Sequence, residues 1–449
     1  MRIKTEIPLT LSLISNLVSN TSAPQIEINA ITTNSRLCEK NDLFIALKGE
    51  KYDGADFIND AKRKGAYIIS ERGGDLTVKN SYSALLKIAE YYKTTVSPEH
   101  TIAITGSCGK TTVKDFTHKI LSHSIPTHKT RENYNNSVGL AHTILSTPAS
   151  ARAITCELGM NHAGEIRELS RALHPDVSVI TNIGTAHIGN LGSREAIADA
   201  KLEIEEGMSG GKTVFFKEET LLKKAKNPYF VSLSDKSADM YARVISRTKE
   251  NSRIIIKTKY DEFEIISPLS SEHTINSLLL SVAAATVIGL SPAEIIKPAS
   301  EIDNNILRQK YMSIGHIKIY DDSYNSSPDA VITDLRMLNE REECFSALIG
   351  DMLELGDKSE ELHELVGREC AKNKAVKLYA FGEFAKSIEK GALSEGMDKK
   401  NIFINTDLSH PEITAFQIKE SYDNERILIK ASHSVNISRI TRILEKGGY

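Results

Sequence analysis

Residues 101–112 read TIAITGSCGKTT, and three signals meet in them. Ile102–Thr105 is a run able to form a buried strand. Gly106-Ser107-Cys108-Gly109 breaks it, and Lys110-Thr111-Thr112 opens a helical pattern. A strand, a glycine turn and a helix start together make the geometry that cradles phosphate. The glycines let backbone N–H groups converge on one spot, the helix N-terminus adds partial positive charge, and Lys110 adds a full one. A hydroxyl just after the lysine suits Mg²⁺. The pattern is a variant: the general P-loop has its first glycine five residues before the second, and that position holds Ile104. A plain glycine-containing turn is the competing reading of this stretch by itself.

Composition narrows the rest. A chain of 449 residues corresponds to about three domains. The net charge of −3 gives no sign of a nucleic-acid surface or an acidic tail. The five cysteines (Cys38, Cys108, Cys156, Cys344, Cys370) form no CxxC pair. That pattern argues for a reducing, cytoplasmic setting without a cysteine metal site. The longest mostly apolar run, Leu278–Leu290, is too short to span a bilayer, so no membrane insertion is expected. Residues 1–23, with Arg2, Lys4 and the moderately apolar Ile7–Val18, faintly resemble a secretory leader. Glu6, Thr10, Ser12, Ser15 and Asn16 dilute that pattern, and an ordinary N-terminal helix is the expectation.

The periodicities divide the chain into segments 1–97, 98–306 and 307–449. The first mixes short strands and helices and ends in a helical pattern, Tyr82–Lys93. The second alternates: strand Ala153–Glu157, helix Glu165–Leu173, strand Val177–Ile183, helix Arg194–Met208. Strand-rich runs follow at Thr213–Phe216, Arg243–Thr248 and a hairpin over Arg253–Ile266, then an apolar helix, Thr274–Leu290. The third has strands at Ile317–Tyr320, Ser346–Ile349, Leu378–Phe381, Ile402–Asn405 and Ile427–Ile429, each followed by a helical pattern. Such alternation predicts an α/β protein with mostly parallel sheets covered by helices on both faces.

Ligands of open parallel sheets bind outside the carboxyl ends of the strands. In the second segment those ends deliver Lys110 with Thr111 and Thr112, then Glu157, then Asn182 and His187. In the third they deliver Asp321-Asp322 with Asn325, then Asp351 and Glu354, then Lys430 with Ser432 and His433. Any one of these could be plain loop or helix-cap chemistry. That reading weakens when a phosphate loop, a carboxylate, a histidine and amides share one sheet edge.

These blocks resemble the Mur ligases, ATP-dependent amide ligases of peptidoglycan precursor synthesis. The likeness runs through TTNSR (32–36), DLFIALKG (42–49), DGADF (53–57), ITGSCGKTT (104–112) and NYNNSVG (133–139). It continues through ELGMNHAGEI (157–166), TNIGTAH (181–187), AIADAKLEI (196–204), HTIN (273–276), DDSYNSSPD (321–329), IGDMLELGD (349–357) and KASHS (430–434). The phosphate loop is common to the superfamily. The DDSYN, GDMLELG and NNSVG blocks are similar to those of its D-Ala-D-Ala-adding branch. Three positions depart from the family pattern: Cys108 replaces an asparagine, Leu307 a glycine before Arg308, and Ala431 a glycine after Lys430.

The resemblance implies three domains: 1–97 binding a UDP-sugar peptide, a central ATP-binding domain over 98–306, and a Rossmann-like domain over 307–449 that closes on ATP and the amine. It implies ATP and Mg²⁺ as cofactors, with UDP-N-acetylmuramoyl-tripeptide and D-Ala-D-Ala as substrates of a monomer. Gly106, Ser107, Cys108, Gly109, Lys110, Thr111 and Thr112 would hold the phosphates. Asn276, Arg308 and Asp322 would hold adenine and ribose, with Tyr324 and Asn325 approaching the phosphates. Thr111 and Ser137 would ligate a first Mg²⁺, and Glu157, His187 and Lys201 a second. Ser35 and Arg36 would contact the uridine nucleotide.

Lys201 and His187 also have plainer readings. Ile197, Lys201, Ile204 and Met208 recur at helical spacing, so Lys201 lies on or beside a buried stripe. By composition alone such a lysine snorkels. The resemblance implies instead that CO₂ carbamylates it, giving an oxygen ligand of the kind Mg²⁺ prefers. A loop histidine at 187 would by itself be a capping residue. The competing functions are a folylpolyglutamate-type ligase, which leaves TTNSR and DDSYN unexplained, a Mur ligase adding a single amino acid, and an ATP switch without ligation.

Overall fold

The computed structural model describes residues 2–49, 52–248, 250–303, 310–321, 326–341 and 343–446. Arg308, Asp322, Tyr324 and Asn325 lie outside the described residues. Three sheets follow one another along the chain. The first orders its strands as Arg2–Ile3, Ile31–Thr32, Leu43–Ile45, Tyr67–Ser70 and Leu76–Thr77, all parallel except Arg2–Ile3. The N-terminal helix is Leu11–Val18; Thr10 caps it and Ile14 is fully buried. Helix Ser81–Val96, capped by Asn80, leads out of this sheet. Its buried Tyr92 hydroxyl donates to the Thr147 carbonyl and accepts the Glu6 amide, tying the first sheet to the second.

The second sheet has nine strands. Five parallel ones carry its chemistry, in the order Lys212–Phe216, Val177–Ile180, His100–Thr105, Ala153–Glu157, Thr127–Lys129. From His100–Thr105 the chain passes over one position to the edge strand Thr127–Lys129. It then comes back to Ala153–Glu157 and crosses to Val177–Ile180 on the other side. The strand order therefore reverses around His100–Thr105, and a crevice opens at the carboxyl ends there. Beyond Lys212–Phe216 come parallel Pro228–Ser232 and Met240–Arg247, then an antiparallel hairpin, Ser252–Thr258 with Glu262–Ser267. The apolar helix Glu272–Val287 is buried on nearly every side against helix Lys110–Leu121; the Ser281 hydroxyl donates to the Val113 carbonyl. A helix apolar all round belongs in a core, and no helix among the described residues is long and apolar enough to cross a membrane.

The third sheet orders as Lys310–Ile314, Ile317–Asp321, Arg426–Lys430, Phe345–Gly350, Leu378–Phe381 and Ile402–Asn405, parallel except at Lys310–Ile314. Helices Pro328–Glu340, Ser359–Lys372, Ala385–Ser394, Pro411–Ser421 and Ser438–Lys446 follow its parallel strands.

Two elements are shorter than their sequence patterns. The strand expected over Val177–Ile183 ends at Ile180, because Thr181 and Asn182 turn to hold the phosphate loop. The helix expected over Arg194–Met208 ends at Leu202 and tightens into a 3₁₀ turn, Glu203–Gly207. Glu203 there accepts the Gly164 amide and an Arg167 guanidinium N–H, a tertiary demand that local periodicity does not report.

Candidate active site

Strand His100–Thr105 lies mid-sheet, and its end becomes the loop Gly106–Gly109. Gly106 has φ +150°, and a Cβ there would sit 1.8 Å from Thr181 Oγ1. Gly109, at φ +78°, starts helix Lys110–Leu121. No side chain fits the first position, and the second lies in the left-handed region that glycine enters at little cost. The loop is clamped from the neighbouring strand end. The Cys108 amide donates to Asn182 Oδ1 (3.0 Å), the Thr181 hydroxyl donates to the Cys108 carbonyl, and the Gly184 amide donates to Ser107 Oγ (2.8 Å). Lys110 Nζ folds back onto the carbonyls of Gly106 (2.8 Å) and Ser107 (3.3 Å). These are weak partners for an ammonium, and an anion in the loop would outcompete them.

Cys108, where the resemblance expects asparagine, places its sulfur 3.7 Å from Ser327 Oγ of the third segment. Burial pushes its thiol up to about 11, so it stays protonated, and the backbone carries the loop's anion chemistry.

Glu157, at the end of strand Ala153–Glu157, is 2% exposed. Its carboxylate accepts from the Thr111 hydroxyl (2.6 Å) and from Asn135 Nδ2 (2.8 Å). Both donors are neutral, and among the described residues Glu157 makes no ion pair. Lys201 is equally buried, also lines the cavity and has no ion-pair partner among the described residues. Burial, with Lys110 nearby, holds its amine well below the usual lysine range. A buried carboxylate and a buried amine thus share a cavity without neutralising each other. Buried charges need a counter-charge or a metal.

His187 stands in the left-handed region at φ +65°. Its Nδ1 meets Glu354 Oε2 of the third segment at 2.5 Å, and that hydrogen bond holds the Glu354 carboxyl below the usual range. Nearby, the Thr185 amide and hydroxyl both donate to Asp329 Oδ2 at 2.6 Å. Lys430 pairs with Asp334 at 2.9 Å, both buried. Asp351 takes the plain role: its carboxylate accepts the amides of Glu383 and Phe384.

A cavity of about 550 Å³ lies between the second and third segments, with Lys110, Thr111, Glu157, His187 and Lys201 on one side and Ser327, Asp334, Glu354 and Lys430 on the other. Gly106, Ser107, Cys108, Gly109 and Thr112 line it too. Ser137 does not; it opens helix Ser137–Leu145, and Asn135 from the same loop reaches Glu157 instead. Asn276 sits on the helix that brings His273 and Thr274 to the cavity, and its Oδ1 is buried without a hydrogen-bond partner. Asn135 and Asp329 are site-building residues that residue-type reasoning passed over, although both lie inside blocks already quoted.

A second pocket, of about 360 Å³, opens between the first and second segments. Ile3, Ile31, Thr32, Thr33, Leu85, Tyr134, Val138 and His142 are among its walls. Ser35 and Arg36 follow Thr32 and Thr33 in the chain but do not line it. They form a short 3₁₀ turn, capped by Asn34, whose carbonyls accept from Lys64 Nζ.

The chain matches three family descriptions in sequence: the Mur ligase family catalytic domain over residues 27–98, the Mur ligase middle domain over 104–285, and the Mur ligase glutamate ligase domain over 308–433. It is 30% identical to the UDP-N-acetylmuramoyl-tripeptide–D-alanyl-D-alanine ligase of Bacillus subtilis, over 98% of each chain. It is 28% identical to the Escherichia coli protein of the same name, over 98% of this chain and 99% of the other. Among solved structures, MurF from Acinetobacter baumannii superposes with a TM-score of 0.86 at 26% identity, covering 98% of this chain and 99% of that one. MurF ligase from Thermotoga maritima, in complex with ADP, gives 0.77 at 26% identity over 93% and 97%. Sequence and three-segment architecture agree, and the chain belongs to the Mur ligase family.

Proposed function

We propose that this chain is an ATP-dependent, ADP-forming ligase that joins D-Ala-D-Ala to UDP-N-acetylmuramoyl-tripeptide in peptidoglycan precursor synthesis. One observation carries the reading. A phosphate loop, a buried carboxylate and a buried lysine that make no ion pair among the described residues, and a histidine line one cavity, and the third segment covers it. The named relatives supply the substrates.

A carboxylate is a poor electrophile. Moving the γ-phosphoryl group of ATP onto it makes an acyl phosphate with a good leaving group. The amine of the dipeptide then attacks the acyl carbon, phosphate leaves, and the amine's proton is lost. Phosphoryl transfer of this kind is mostly positioning and charge neutralisation. Lys110 would leave its loop carbonyls for the β- and γ-phosphates, beside the helix N-terminus. Thr112 would add an N–H at that terminus. Asn276 would spend its orphaned Oδ1 on the adenine amino group. Arg308, Asp322 and Asn325 would complete the nucleotide site from the third segment. Ser35 and Arg36 would meet the uridine diphosphate, whose charge suits a guanidinium.

The donor set fits Mg²⁺: hard oxygens on Thr111 and Glu157, with His187 and Lys201 around the same space. When bound, Mg²⁺ neutralises phosphate charge. Thr111 and Ser137 would serve a first ion, and Glu157, His187 and Lys201 a second; for Ser137 this needs the NYNNSVG loop to shift. The buried amine of Lys201, pushed toward its neutral form, is suited to add to CO₂. An N–C bond forms as one C=O π bond of CO₂ opens, a proton leaves, and the neutral amine becomes an anionic oxygen ligand.

We take residues 1–97, 98–306 and 307–449 as the working domains and a monomer as the working unit. The five free cysteines accord with a cytoplasmic setting. The test is phosphate release with ATP, Mg²⁺, the muramoyl tripeptide nucleotide and D-Ala-D-Ala, omitting each in turn. Release should need all four; turnover of ATP without either peptide would leave an ATP switch.

A further inference from the structure

The segment 184–189 of the central domain is where the third domain touches down, and the contact is closer than packing alone requires. A Cβ on Gly189 would lie 2.5 Å from the Gly356 nitrogen and 2.7 Å from the Glu354 carbonyl oxygen. The Gly189 amide donates to that same carbonyl at 2.9 Å. On either side of this backbone contact, His187 (φ +65°) and Glu354 (φ +64°) both hold left-handed conformations, uncommon for residues with a side chain. Such strain persists only where the surroundings over-determine it, and it clusters at functional sites. The two strained residues are partners, joined from Nδ1 to Oε2 at 2.5 Å.

An ionised carboxylate can only accept, so this bond places the imidazole proton on Nδ1. In the neutral ring the other nitrogen, Nε2, then carries the free lone pair. His187 lines the cavity, and Nε2 makes no hydrogen bond among the described residues. Outer carboxylates that fix a ligating histidine's tautomer and ring angle are a recurring device of metal sites. Here the carboxylate belongs to a different domain from the histidine.

We propose that Glu354 is a positioning residue that sets the Nδ1–H tautomer and ring orientation of His187, so that seating the third domain completes the metal-binding face of the central one. This rests on the reading of His187 as a Mg²⁺ ligand. It gives the ligase a physical reason not to phosphorylate its acceptor while open: the histidine is aimed only when the domain carrying the amine site has arrived. Asp329 makes the neighbouring interdomain contact, to Thr185, without touching the imidazole. It serves as the comparison for a contact that merely holds the domains together.

The test compares Glu354→Ala, Glu354→Gln and Asp329→Ala in the full chain. Histidine labelled with ¹⁵N reports the tautomer by NMR, and the His187 signals are assigned by their loss in His187→Gln. The wild type should show Nδ1–H. Glu354→Ala should show a mixture, while Glu354→Gln, which keeps an accepting oxygen, should stay near wild type. The Mg²⁺ concentration giving half-maximal phosphate release should rise on the order of tenfold or more in Glu354→Ala and less in Glu354→Gln. In Asp329→Ala it should move little while KM for the amine rises. An unchanged tautomer and Mg²⁺ dependence in Glu354→Ala, or the same Mg²⁺ shift in Asp329→Ala, would overturn the proposal. If His187→Gln itself keeps the wild-type Mg²⁺ dependence, the ligand reading fails first and takes the inference with it.

Discussion

The charged cavity and the smaller pocket share a wall and almost nothing else. The segment NYNNSVG, residues 133–139, runs between them: Asn135 faces the larger cavity, Tyr134, Asn136 and Val138 the smaller, and Asn133 both. The larger cavity gathers Lys110, Glu157, Lys201, His187, Asp334, Glu354 and Lys430. The smaller is largely aliphatic and aromatic, with His142 set edge-on to Tyr134 at 5.6 Å. Reactions that move phosphoryl groups need fixed charge, whereas recognition of a large substrate needs area and shape. On the proposed reading the acceptor would be held on the first-segment side and activated in the charged cavity, with residues 133–139 as the wall between them.

The largest effect that tests this division is on the charged side. Lys110→Ala should lower kcat/KM by on the order of 10²–10³-fold. The melting temperature and the affinity for the uridine nucleotide should stay near wild type; near-normal turnover in a folded variant would sink the assignment. Lys201→Ala should lose on the order of 10²-fold and regain part of it with added short carboxylic acids. A high-resolution map showing a bare Lys201 ammonium paired with Glu157 in an active, substrate-bound enzyme would refute the carbamate.

Breaking the shared wall should affect both pockets. A Cβ on Gly139 would lie 2.3 Å from the Tyr134 carbonyl carbon, so Gly139→Ala must displace the segment. We expect a loss of about 1–3 kcal/mol of stability and higher KM for both nucleotides. A change in only one KM would mean the wall is not shared. Arg36→Ala should raise KM for the uridine nucleotide by roughly tenfold and leave KM for ATP alone, since it removes ground-state binding in another domain. Equal effects on both would contradict the placement of the two substrates.

The smallest effect is a pH dependence of the apolar pocket. Burial lowers the pKa of His142, and its Nδ1 is buried without a partner. The folded state therefore favours the neutral ring. The stability this contributes is fully present above the unfolded value of about 6.5 and is lost as pH falls below it, toward the lowered folded value. Denaturation midpoints measured between pH 7.5 and 5 should fall less in His142→Phe than in the wild type.

The charged cavity was legible in the sequence to an unusual degree because its parts are local. Strand, glycines, lysine and hydroxyl are contiguous in TIAITGSCGKTT, and Glu157 falls at the end of a strand whose limits the pattern predicts. What stayed hidden is tertiary. Nothing local marks Asn135 rather than Ser137 as the partner of Glu157, or Glu354 and Asp329 as bonded across a domain boundary. The strand Pro228–Ser232 went unread for a similar reason. It begins with proline and gains its place from parallel pairing with Lys212–Phe216, not from its own alternation. The apolar pocket was illegible because its walls come from four separate stretches, around residues 3, 31–33, 85 and 133–142.

On the proposed reading the charged cavity makes an amide to a dipeptide. The most direct test supplies the chain with ATP, Mg²⁺ and UDP-N-acetylmuramoyl-tripeptide, together with equal concentrations of D-Ala, L-Lys, diaminopimelate and D-Ala-D-Ala. Mass spectrometry then reads the product. A product extended by D-Ala-D-Ala alone is expected, because single amino acids leave polar groups of the amine site unpaired. A product extended by one amino acid would contradict it.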